Sequence, residues 1–123
     1  MSGKIKDIDL RSLFENQKDF QKSMMRSIEN FSIKDLPIDS VEWFMYHCTA
    51  LSEELGEVLK SDKRWKTNRN TRYNKEEKLD EISDLLITIM NISMFSGFSA
   101  SDLLNATAKK IEINKERLKD EKK

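Results

Sequence analysis

From Leu79 through Ala108 the chain contains no lysine or arginine, although charged residues make up 36% of the sequence. Within that stretch Leu79, Ile82, Leu85, Leu86, Ile87, Ile89, Met90, Ile92 and Met94 cover most of the circumference of a helix predicted over about Asn74–Ser96. They leave a narrow polar arc of Asp80, Glu81, Asp84, Thr88 and Asn91. A helix apolar nearly all round is normally buried, so Glu81 and Asp84 are expected in an interior or a cleft. Carboxylates placed there without partners carry a desolvation cost or take up protons. No basic residue lies nearby in sequence, so the partner has to come from elsewhere.

The stretch Leu51–Lys60, L-S-E-E-L-G-E-V-L-K, supplies a second acidic cluster. Glu53, Glu54 and Glu57 share an arc of roughly 100° on a helix, and Glu81 and Asp84 project from one side of theirs. A solvated glutamate face would explain the first cluster alone. Two such clusters packed side by side repel unless something positive lies between them. A hard divalent cation, Mg²⁺ or also Mn²⁺, suits a set of carboxylate oxygens and leaves room for substrate phosphates.

The remaining pattern is helical. Leu10, Leu13, Phe14, Phe20, Met24, Ile28 and Phe31 recur at three- and four-residue steps, predicting a first helix over about Asp9–Phe31. Leu36-Pro37 breaks it, and Asp39-Ser40-Val41-Glu42 has the look of a capping box with Asp in the first place. The second helix then runs to about Ser61, with an apolar stripe of Val41, Phe44, Met45, Cys48, Leu51, Leu55, Val58 and Leu59. His47 falls within about 20° of Glu54 around its wheel.

Eight basic residues between Lys60 and Lys78, with Trp65 and Tyr73 among them, mark a polar connection able to close over an anion. Gly97 ends the third helix, and Ser99-Ala100-Ser101-Asp102 has capping-box spacing for a fourth, packed through Leu104, Ala108, Ile111 and Leu118. Lys110, Asn114 and Arg117 lie within about 60° of one another beside that stripe. The tail from Lys119 is expected to fray.

Three glycines and one proline leave little room for hairpins, so a single all-α domain over residues 1–123 is expected. Zero formal charge gives no general pull toward nucleic acid or membrane. Cys48 is alone, no apolar signal core occupies Met1–Asp7, and no apolar run reaches membrane-spanning length, so a cytoplasmic location is the expectation. A di-iron carboxylate bundle is set aside, because it needs Glu-x-x-His on two helices and the chain has one histidine.

The ordered set Glu53-Glu54-x-x-Glu57, Glu81-x-x-Asp84, Arg64-Trp65-Lys66 and Lys110-x-x-x-Asn114-x-x-Arg117 resembles that of the MazG-like all-α NTP pyrophosphatases, over roughly Trp43 to Leu118. The resemblance implies a four-helix bundle completed by homo-oligomerisation, as a homodimer or homotetramer. It also implies Mg²⁺-dependent hydrolysis of a (deoxy)nucleoside triphosphate to the monophosphate and pyrophosphate. Carried onto this chain, Glu54, Glu57, Glu81 and Asp84 bind metal, and Glu53 orients or deprotonates water. His47 and Trp65 become candidates for the base, Asn91 and Asn114 for sugar or phosphate, and Lys66, Lys110 and Arg117 for phosphate charge. A pyrophosphatase acting on a phosphoribosyl-ATP-like nucleotide and a non-catalytic helical interaction module are the competing readings.

Overall fold

The computed structural model describes residues 8–29, 31–66 and 73–121. They form four helices: α1 Leu10–Ser27, α2 Val41–Ser61, α3 Lys75–Met94 and α4 Ala100–Glu121, with no strand among the described residues. The fold is all-α. No helix among these residues is long and apolar enough to cross a membrane.

Side chains at the helix starts meet the orphaned backbone N–H groups. Asp9 caps α1 by accepting from the Ser12 N–H at 2.7 Å. Ser40, not Asp39, caps α2 by accepting from Trp43 N–H, and the expected Asp39–Glu42 box gives way to this single cap because Ser40 N–H bonds the Pro37 carbonyl. At α4 the expected box forms: Ser99 Oγ accepts from Asp102 N–H at 3.1 Å while Asp102 accepts from Ser99 N–H at 2.9 Å. Gly97 takes φ +86°, letting Phe98 N–H reach the Ser93 carbonyl and Gly97 N–H reach that of Met94.

Two helix ends differ from expectation. α1 stops at Ser27, which leaves Phe31 in the connection, where its ring packs 5.7 Å from Trp43 and 5.3 Å from Tyr46. α4 continues through Lys119 to Glu121, where Lys119 pairs with Glu116 one turn back.

α2 and α3 pack antiparallel: Trp43 meets Phe95, Glu54 meets Asp84, and Asp62 meets Lys78. α1 lies across α3 and α4. The core is small, consisting of Phe14, Trp43, Met90, Met94, Phe95 and Ala100, with Leu13, Met25, Ile33, Leu36, Ile87 and Leu103 against it.

Burial follows the apolar stripe of α1 in part, through Phe14 and Leu13, and departs from that of α2. α2 buries Trp43, His47 and Ser61, while Val41, Met45, Leu55 and Leu59 face solvent. α1 turns Phe14 and Gln21 inward and leaves Phe20 exposed. On α3 Leu79, Ile82, Leu86 and Ile89 remain exposed too, so a single copy leaves much of this helix uncovered.

Candidate functional site

Around α2, Trp43 and His47 lie about 20° to either side of Glu54; around α3, Phe95 and Asn91 do the same for Asp84. The two rows face each other and form one seam, acidic at one end and aromatic at the other. Seven residues separate Glu54 from His47 and Asp84 from Asn91, about 10.5 Å along each axis.

At the acidic end, one carboxylate oxygen from each of Glu54, Glu81 and Asp84 lies within 4.8 Å of the other two. None of the three takes part in an ion pair among the described residues. Loss of water raises the Glu54 carboxyl above its ordinary range, with the charges of Asp84, Glu57 and Glu53 adding to the effect. Glu81 is raised for the same first reason, and by Asp84, Glu57, Glu54 and Glu77. Oxygens on opposite sides of a Mg²⁺ stand about 4.2 Å apart, twice the usual metal–oxygen distance. The three oxygens lie within a 4.8 Å bound that is wider than that span, with Glu54 and Glu81 half-buried and Asp84 exposed.

Glu57 stands outside the close triad and reaches Lys60 at 3.5 Å, although its charge is felt by both Glu54 and Glu81. Glu53 is on the exposed flank of α2, lining a shallow groove with Met45, Tyr46, Thr49 and Ala50.

The connection after α2 is organised by Asp62. Its carboxylate takes two hydrogen bonds from the Arg64 guanidinium, at 2.8 and 2.9 Å, and one from Lys78 at 3.0 Å, which holds its pKa far below the carboxylate range. Arg64 also sits over the Tyr73 ring at 3.6 Å. Trp65 is exposed, its indole N–H directed to the Leu59 carbonyl, with Lys66 over its ring. Arg69 and Arg72, counted in the basic connection, lie outside the described residues.

At the aromatic end His47 is 3% exposed, stacked at 19° on Trp43 and with its ring centroid 4.3 Å from that of Phe95. Burial lowers its pKa from 6.5 to about 4, so the imidazole is neutral near pH 7. Asn91 is buried and its Oδ1 accepts from Gln17 of α1 at 3.1 Å. Lys110, Asn114 and Arg117 stand on the distal part of α4, where every described residue from Asn105 onward is exposed.

No family model, curated protein or solved structure matches the chain.

Two further residues lie at the aromatic end, Trp43 in the seam and Gln21 on α1 beside Phe95. Trp43 is 1% exposed and Gln21 6% exposed, and the Trp43 Nε1, Gln21 Oε1 and His47 Nε2 atoms are buried without a hydrogen-bond partner among the described residues. The sequence does contain a signal for Gln21: it follows Phe14 by seven residues, which places both within about 20° on the inner face of α1.

Proposed function

We propose that the chain is a Mg²⁺-dependent nucleotide pyrophosphohydrolase of the MazG-like kind, converting a (deoxy)nucleoside triphosphate to the monophosphate and pyrophosphate. The observation that carries the reading is the convergence of Glu54, Glu81 and Asp84 from two helices with no cationic side chain paired to them. Glu54 and Glu81 are raised in pKa first by loss of water and then by the neighbouring carboxylates, and a divalent cation would offset both.

Glu54, Glu81 and Asp84 would hold the ion, with Glu57 one helical turn from Glu54 as a further ligand or a partner to bound water. When bound, the ion supplies charge neutralisation for the phosphates and a lowered pKa for a coordinated water. Glu53, next to the ligands, is assigned to orient that water or accept its proton. Lys66, Lys110 and Arg117 supply fixed positive charge toward the leaving pyrophosphate, and no side chain of the protein needs to become covalently attached.

In a single copy, Lys110, Asn114 and Arg117 are exposed on α4, as are many large apolar residues of α2 and α3. Association of at least two copies would cover those apolar faces and carry α4 of one chain toward the carboxylates of another.

The decisive experiment is product analysis of the purified protein with a panel of NTPs and dNTPs, with Mg²⁺ and with chelator. Metal-dependent monophosphate plus pyrophosphate is the expected result. Diphosphate plus orthophosphate would place the attack on another phosphorus and overturn the reading.

A further inference from the structure

The lysines nearest the carboxylate triad in sequence are Lys60 on α2 and Lys78 on α3, and each is paired with a carboxylate outside it. Lys60 reaches back to Glu57. Lys78 is the last cation before the lysine- and arginine-free stretch that begins at Leu79, and it precedes Glu81 by three residues. On a helix that spacing sets the two Cβ atoms about 5–6 Å apart, within reach of a lysine side chain. Of the four residues three or four places from Lys78, namely Asn74, Lys75, Glu81 and Ile82, Glu81 alone is acidic. It is half-buried, and its carboxyl is raised first by loss of water and then by its acidic neighbours, so an adjacent ammonium would relieve it.

Lys78 turns the other way. Its Nζ donates to Asp62 Oδ2 at 3.0 Å, across the contact between α2 and α3. The Asp62 side chain is 13% exposed and gathers a cluster around itself. Arg64 donates to it from Nε and Nη2, and Arg64 and Lys78 lie over the Tyr73 ring at 3.6 and 5.0 Å. Asp62 is also the C-cap of α2, the negative pole of that helix, where an anion is disfavoured. Its two cations offset that cost.

We infer that Asp62 is a positioning residue: by holding the Lys78 ammonium at the end of α2, it keeps the nearest α3 cation from occupying Glu81. The inference rests on the proposed function, because an ammonium at Glu81 would compete with the divalent ion assigned to Glu54, Glu81 and Asp84. In Asp62→Asn the charge that restrains Lys78 is gone, and the lysine turns along α3 to Glu81.

Two measurements test this. The first needs no metal: urea stability in chelator for the cycle of Lys78→Met and Glu81→Gln, in wild-type and Asp62→Asn backgrounds. Positions 78 and 81 should act independently in wild type and become coupled in Asp62→Asn, by about two- to fivefold in the folding equilibrium. The second is Mn²⁺ binding, read from the electron paramagnetic resonance signal of the free ion. Asp62→Asn should weaken it about fivefold. Asp62→Asn/Lys78→Met should restore it, and Asp62→Asn/Arg64→Gln should not. Mn²⁺ affinity unchanged in Asp62→Asn overturns the inference. A loss that Lys78→Met does not reverse also overturns it, leaving Asp62 as an anchor of the connection alone. If wild type binds no Mn²⁺, the metal reading falls and the cycle decides: coupling confined to Asp62→Asn upholds the role of Asp62, and coupling in both backgrounds or in neither overturns it.

Discussion

Acidification should unfold this protein through His47. The ring is enclosed by Trp43, Tyr46 and Phe95 at centroid distances of 5.7, 5.1 and 4.3 Å. Burial sets the folded pKa at about 4 against 6.5 for an ordinary histidine. The unfolded chain thus takes up a proton as pH falls past 6.5, and the folded one resists until about 4. The stability His47 provides is complete above 6.5 and is lost down through that window. At about 1.36 kcal/mol per pH unit the total comes to about 3 kcal/mol, a large share of a small domain's stability. Glu54 and Glu81, raised in the fold, act in the opposite sense as pH falls, because there the folded state is the one that gains protons. Comparing wild type with His47→Phe cancels that contribution. Urea midpoints measured at half-unit steps from pH 7.5 to 4.5 should fall by about 1.5 M more in wild type than in the variant, for an ordinary urea slope. Equal falls in the two proteins would show that His47 is not the titrating group.

Three further outcomes can be checked by melting curves and turnover. Gly97→Ala should cost about 1 kcal/mol, since φ +86° strains any residue with a Cβ even though nothing lies within 4 Å of where that atom would be. Gly56→Ala, also with open space around its would-be Cβ and in the middle of α2, should stabilise the isolated chain by about 0.5–1 kcal/mol; a drop in assembly or activity instead would show that another molecule approaches there. Mg²⁺ at about a hundred times its dissociation constant should raise the wild-type melting temperature by about 10 °C. Asp84→Asn should abolish that rise while melting higher than wild type in chelator, and an undiminished rise would remove the metal site.

What the sequence made legible was local. The Ser99–Asp102 box and the Gly97 turn depend on neighbours within five residues, so their spacing was enough. Glu81 and Asp84 were likewise paired by helical spacing. Which α2 glutamate meets them depends on the rotation of α2 about its own axis, and that is set by Trp43 packing on Phe95 eleven residues away, beyond the reach of a periodicity argument. Glu54 comes within the triad and Glu57 does not. The apolar stripe of α1 found Phe14 and Leu13 but missed Gln21, and that of α2 pointed to the wrong inner face for a related reason. Trp43 and Phe14 are large enough to fix the packing alone, and His47, Ser61 and Gln21 are buried because they share a face with them. Gln21, a glutamine between Phe20 and Lys22, was legible only through its seven-residue spacing from Phe14.

The distal part of α4 adds a mechanical consequence. From Asn105 to Glu121 it runs about 25 Å with every residue exposed. Its first turn is capped and seated against the core through Ala100 and Leu103, so the costly step of helix nucleation is complete before the free part begins. What remains is propagation at near balance, aided by the Lys115–Glu112 and Lys119–Glu116 pairs. The segment is thus a cantilever that frays from its tip inward while its root stays firm. A surface that seats Ile111 would shorten the free length, and one that also seats Leu118 would clamp nearly all of it. Because the arm is already straight at its root, the pace of such docking is set by collision, not by folding.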